Sequence, residues 1–151
     1  MKIKGQTLSQ SGASAIEFAL ILPVLLMILF GIIEFSILFY NKAVITNASR
    51  EGARYGITFI TTPGPTAGTH PTQAQIIARV NDYLTDSDNN TMLVSFGATE
   101  NIGYAIDKPD DASGTDLTVE VTYDYDFLIL PEFADQVVNL QLSAETVMRL
   151  E

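Results

Sequence analysis

The side chains able to do acid–base or nucleophilic work are few and scattered. His70 is the only histidine, it lies in a Gly/Pro-rich stretch, and the chain has no cysteine. A thiol–imidazole pair is therefore excluded, and a serine triad would hang on one loop residue; a surface histidine is the expectation. Asp124 and Asp126 stand two apart in a strand-like segment. That places both carboxylates on one face, as paired-carboxylate chemistry requires, but nothing nearby identifies a substrate pocket. Asp86-Ser87-Asp88-Asn89-Asn90 opens like a calcium loop, yet its sixth position is Thr91 and its twelfth is Gly97, where such a loop needs a glycine and a bidentate glutamate. The acidic stretch 107–116 is a further loop of this kind. These patterns give no catalytic residue, metal site or cofactor. The acids in the most unusual surroundings are Glu17 and Glu34, which bracket an apolar run.

The elements that hold those two acids follow from charge and hydropathy. The 151 residues are 47% hydrophobic and 17% charged, with a net charge of −10. Residues 1–60 carry five basic and three acidic side chains, residues 61–151 three basic and fifteen acidic, so the parts have net charges of +2 and −12. Two halves so different belong in different surroundings. The acidic part argues against nucleic-acid binding, which needs clustered Lys and Arg to displace counterions.

Phe18 through Ile33 contains no charged residue, and beyond Glu34 the apolar run continues through Tyr40. Those 23 residues would span about 34 Å as a helix at ~1.5 Å per residue, enough for a bilayer core. A soluble domain of this size could not surround so long an apolar cylinder. A cleaved secretory signal has a shorter hydrophobic stretch with its small residues after it; here Ser11 through Ala15 come before it. Lys2 and Lys4 on one side face Lys42, Arg50 and Arg54 on the other, so charge bias alone leaves orientation open.

The motif Ser11-Gly12-Ala13-Ser14-Ala15-Ile16-Glu17-Phe18 ahead of the apolar run is similar to the type IV prepilin processing site. The resemblance implies that a membrane-embedded prepilin peptidase cuts between Gly12 and Ala13. Residues 1–12 would then be a leader, the N-terminus cytoplasmic and the C-terminal region extracytoplasmic. A carboxylate at the membrane end of an apolar helix is costly unless paired. Glu17 has a natural partner in the new α-amino group of Ala13 on a neighbouring subunit.

Further on come Leu22-Pro23-Val24-Leu25-Leu26, Phe30-Gly31-Ile32-Ile33-Glu34-Phe35 and Thr46-Asn47-Ala48-Ser49-Arg50-Glu51-Gly52-Ala53-Arg54-Tyr55. With the processing motif they resemble the TadE-like family, minor pilins or pseudopilins of the tight-adherence (Flp) pilus system, and the closing Ser143 to Arg149 resembles that family's last strand. The resemblance implies a bacterial inner-membrane protein with a single span that takes part in pilus assembly. Its implied partners are other pilin-like subunits, the prepilin peptidase, the inner-membrane assembly platform and membrane lipid. Glu17, Phe18, Pro23 and Glu34 are the helix residues expected to serve assembly. A reading independent of the family is a single-span anchor whose acidic head binds a ligand or acts as an enzyme.

Within the helix, Pro23 cannot donate to the Ala19 carbonyl, so a kink or local loosening is expected there. Ala48, Gly52 and Gly56 recur every four residues, a stripe that permits close helix packing. Arg50 and Arg54 lie ~200° around from it, placed to touch lipid phosphates or to pair with Glu51. The transmembrane and juxtamembrane helix is assigned to 13–58, a linker with three prolines and two glycines to 61–71, and a head to 72–151. In the head, Ile76, Ile77, Val80 and Leu84 mark an amphipathic helix over 72–84 capped by Thr72. Alternation and β-branched content mark strands over 91–96, 101–106, 117–125 and 137–148. The run Phe127-Leu128-Ile129-Leu130-Pro131 reads as a packed crossover or an exposed contact patch. The fold class is α+β: a long N-terminal transmembrane helix that continues outside the membrane, then a small head with one helix packed on an antiparallel sheet of three to four strands.

Overall fold

The structure is a computed structural model and describes residues 10–60, 68–85, 88, 90–94, 102–109, 112, 114–127 and 140–150. Five elements follow one another: α1 (Gln10–Gly56), α2 (Gln73–Leu84), β1 (Ile102–Asp107), β2 (Asp116–Tyr125) and β3 (Leu140–Arg149). By its contacts the chain divides into a unit ending at Ser36 and a unit from Ile37 to Glu151.

The first unit is helical because its sequence is an almost unbroken run of Leu, Ile, Phe and Ala, with no glycine between Gly12 and Gly31. The helix continues through Pro23. Its most apolar 18-residue window has a mean hydropathy of 2.8 and no buried residue. A cylinder that is apolar all round and uncovered by its own chain is what a bilayer accommodates and water does not. From Gly12 to Ser36 only Glu34 is buried.

The second unit is a two-layer α+β head. β1, β2 and β3 form an antiparallel sheet in chain order, with Val121 of β2 opposite Tyr104 and Ala144. Alternation along β2 sends Leu117, Val119, Val121, Tyr123 and Tyr125 into the core and the residues between them outward. The helical residues Ile45, Ala48 and Ala53 of α1 and Ile76, Val80 and Leu84 of α2 join the same core. One face of the sheet is thus covered by both helices and the other carries mainly polar side chains.

Local chemistry fixes the ends of these elements. Thr72 caps α2: its Oγ1 accepts from the Gln75 amide at 3.4 Å, and the Thr72 amide donates to Gln75 Oε1 at 2.9 Å. That reciprocal pair satisfies two of the amides that every helix start leaves open. Gln73 Nε2 donates to the Ile106 carbonyl (3.2 Å) and Lys108 Nζ to the Pro71 carbonyl (3.0 Å), which tie the start of α2 to β1. Between β1 and β2, Gly114 has φ +88°, a left-handed conformation that side-chain-bearing residues rarely adopt. Its amide donates to the Leu150 carbonyl (2.8 Å) and the Leu150 amide to the Thr115 carbonyl (2.9 Å), which carries the ladder past the end of β3.

Three strands are present among the described residues where three to four are expected, and the difference lies at Thr91–Val94. Thr91 makes an isolated bridge with Thr85, and the backbone of Val94 pairs with a side chain. Asn41 of α1 donates from Nδ2 to the Val94 carbonyl (2.8 Å) and accepts from the Val94 amide at Oδ1 (2.9 Å). A carboxamide presents one donor and one acceptor side by side, as a neighbouring strand would. This segment is therefore held by a helix side chain instead of by a fourth strand.

Candidate functional site

The residues singled out in the N-terminal part all lie on one continuous helix. Gly12 and Ala13 fall in the first turn of α1 after Gln10, and Glu17 is exposed. Phe18 is 59% exposed and Pro23 is exposed as well. Glu34 follows Glu17 by seventeen positions, about 26 Å along the axis at ~1.5 Å per residue. The two acids thus stand at the ends of a segment about as long as a bilayer's hydrocarbon core is thick. They differ in surroundings: Glu34 is 4% exposed, while its neighbours Ile33 and Phe35 are exposed.

The small-residue stripe beyond the span is filled by the chain's own head. A Cβ placed on Gly52 would lie 2.4 Å from Val80 Cγ2 and 3.4 Å from Val119 Cγ1. One on Gly56 would lie 2.4 Å from Leu117 Cδ2 and 2.9 Å from Ile76 Cδ1. Ala48 is fully buried one turn earlier. Ser49, next to the stripe, donates from Oγ to the Val119 carbonyl at 2.9 Å and lies 2.7 Å from Thr146 Oγ1. Lys42 Nζ donates to the Ser143 carbonyl of β3. Asn41, Lys42 and Ser49 escaped the sequence reading, although a buried Asn and Ser beside a small-residue stripe are the kind of polar groups that must find partners.

Glu51 bonds to α2: Arg79 reaches its Oε1 with Nη2 at 2.7 Å and Nε at 3.2 Å. Those hydrogen bonds, and then the charge of Glu51, hold the Arg79 guanidinium above its ordinary pKa. Arg50 and Arg54 are exposed. Arg54 borders an open groove of about 510 Å³ between α1 and α2, which Glu51, Tyr55, Arg79 and Asp82 also line. The groove sets two acids and two bases side by side, and one pair is already mutually neutralised.

The other candidates are dispersed. His70 is a correction to the sequence reading: it is 5% exposed, its ring lies 4.2 Å from that of Phe59, and neither ring nitrogen has a hydrogen-bond partner among the described residues. The reciprocal bridge between Ile60 and Thr69 draws the neighbouring backbone inward and buries it. Asp124 accepts from Gln141 Nε2 at 2.8 Å, whereas Asp126 lies beyond the last paired residue of β2, Tyr125. Only Asp124 therefore belongs to the strand. Asp86, Ser87 and Asn89 of the calcium-like loop, Asp110 and Asp111 of the second acidic loop, and Leu128–Pro131 lie outside the described residues. Phe127 packs edge-on to Tyr125, with ring centres 5.6 Å apart. Among the described residues no group of three or more His, Asp or Glu side chains is placed to hold a metal ion.

The architecture is thus a small α+β head preceded by a helix long and apolar enough to cross a membrane. Residues 12–54 match the family model described as TadE-like protein. The matched stretch is α1 almost from end to end, and it points to a pilus-associated, pilin-like protein that interacts with other pilus components. No curated protein and no solved structure matches the chain.

Proposed function

We propose that the chain is a minor pilin, or pseudopilin, of a tight-adherence (Flp) pilus. On this reading a prepilin peptidase cuts it between Gly12 and Ala13. The apolar part of α1 then keeps it in the inner membrane with the head outside, and the helix packs with other pilin-like subunits during assembly. The observation that carries the reading is the coincidence of the family match, residues 12–54, with one continuous helix whose first part is apolar and uncovered. Glu17 is the residue best placed to choose a neighbour. It is exposed one turn after Ala13 on an otherwise apolar surface, where a carboxylate gains most from a cationic α-amino group.

The test is the mass and N-terminal sequence of the protein recovered from cells with and without a prepilin peptidase. A peptidase-dependent start at Ala13 is expected. Gly12→Leu should abolish the cut, because a peptidase that accepts glycine before the scissile bond has no room for a branched side chain. Glu17→Ala should be cut normally and assemble poorly. A chain that keeps Met1 in the presence of the peptidase would leave a plain membrane anchor and shift attention to the head.

A further inference from the structure

Among the described residues, two sets of charged side chains in the head make no hydrogen bond or ion pair. On the outer face of the sheet, Glu120 of β2 stands directly opposite Glu145 of β3. Directly opposed residues of an antiparallel pair have Cβ atoms only ~5 Å apart, and like charges there destabilise the sheet. Among the described residues neither carboxylate has a hydrogen-bond or ion-pair partner. The basic side chains that reach the sheet are engaged elsewhere. Lys42 donates to the Ser143 carbonyl, while Arg149 donates to the Gly114 carbonyl at 2.9 Å and lies 3.9 Å from Asp116. On α1, Arg50 and Arg54 are exposed, and neither has a hydrogen-bond or ion-pair partner among the described residues. They are four residues apart, so their guanidinium groups rise from neighbouring turns ~6 Å apart.

The two sets lie on opposite sides of the head. Ser49, Gly52 and Gly56 turn one side of α1 to the sheet, and Arg50 and Arg54 project from the other side of the helix. Glu120 and Glu145 point away from the helices, because their strand neighbours Val119, Val121 and Ala144 point into the core. No chain can close this match on itself. A second copy stacked in the same sense brings an arginine pair onto a glutamate pair of similar spacing. It leaves one set of each sign free at the two ends.

We propose that the outer face of the sheet is a docking surface for a second copy of this chain, which seats its Arg50 and Arg54 against Glu120 and Glu145. The contact is heterologous, so it propagates as an open row instead of closing as a two-fold dimer. Like charges opposed at Glu120 and Glu145 are tolerated in the single chain and neutralised in the row. The proposal does not depend on processing at Gly12.

The absence of cysteine makes a clean test possible in the full-length protein, produced in membranes without other pilus components. Asn47 is exposed beside the arginines and Val147 is exposed on the sheet face beside Glu145. A chain carrying Asn47→Cys and Val147→Cys should form a disulfide ladder of dimers, trimers and higher species under mild oxidation. Each single variant should remain monomeric. Arg50→Glu with Arg54→Glu should lower the ladder yield at least tenfold, and adding Glu120→Lys with Glu145→Lys in the same chain should restore it. That restoration also shows that the reversed chains fold. No ladder, dimers from a single variant alone, or a ladder indifferent to the reversals would each overturn the proposal. A ladder formed by a chain that also keeps Met1 when the prepilin peptidase is supplied would uphold it while removing the pilin reading.

Discussion

Gly52 of α1 and Val80 of α2 are in contact so close that a methyl group on the glycine would lie 2.4 Å from Val80 Cγ2. The stripe that begins at Ala48 is thus a packing surface within the chain, and its two glycines are not equivalent. At Gly56 the atoms in the way are Leu117 Cδ2 and Ile76 Cδ1, the far ends of flexible side chains. At Gly52 the first obstacle belongs to a β-branched side chain with one strongly preferred rotamer in a helix.

Gly52→Ala should therefore cost about 1–2 kcal/mol, the overpacking penalty exceeding the ~1 kcal/mol that alanine gains in a helix. Gly56→Ala should be close to neutral, since Leu117 and Ile76 can turn aside. Thermal or denaturant unfolding of the two variants in detergent micelles checks the order. A more damaging Gly56→Ala would mean that Val80 yields more readily than its rotamer preference allows.

Asn41 spends both ends of its carboxamide on the Val94 backbone. Asn41→Ala should destabilise the head by ~2 kcal/mol, because two backbone groups lose their partners in a part-buried setting. Asn41→Asp should be no better, since an ionised carboxylate accepts from the amide but repels the carbonyl. Limited proteolysis should show earlier cutting near Val94 in both variants.

His70 is buried with two unpaired nitrogens against the Phe59 ring. Buried polar atoms without partners cost ~1–3 kcal/mol. His70→Phe, which keeps a planar ring against Phe59 without the polar atoms, should raise the unfolding midpoint. A fall would mean that an imidazole nitrogen finds a partner in solution.

Thr72 and Gln75 cap α2 reciprocally. Thr72→Ala should cost about 1 kcal/mol, and Thr72→Ser should restore most of it. Helix content by circular dichroism and the unfolding midpoint report the loss together.

Much of the fold was legible in the chain. α2 follows from Ile76, Val80 and Leu84 at helical spacing and from Thr72 ahead of them, and those three residues are its buried face. β2 follows from strict alternation over 117–125, and the pairing runs from Asp116 to Tyr125. Both signals are periodic and local. Thr91–Val94 has the composition of a strand, but its backbone partner at Val94 is an asparagine 53 residues away. No local pattern announces such a partner. His70 was misjudged for the same reason: its loop composition describes the segment, while its burial depends on the Ile60–Thr69 bridge and the ring of Phe59.

The sequence by itself determined the long apolar helix, its two bracketing acids, the family-like stretch on it and the contrast between a near-neutral N-terminal part and an acidic remainder. Those are properties of composition and short spacing, which the chain carries in any conformation. Only the tertiary structure decided what fills the stripe of Ala48, Gly52 and Gly56, which base meets Glu51 and which charges are left over. Each of these depends on side chains brought together from distant positions, such as Gly52 with Val80 and Val119 or Glu51 with Arg79. Helical spacing shows that a face is narrow enough to pack; it does not say against what.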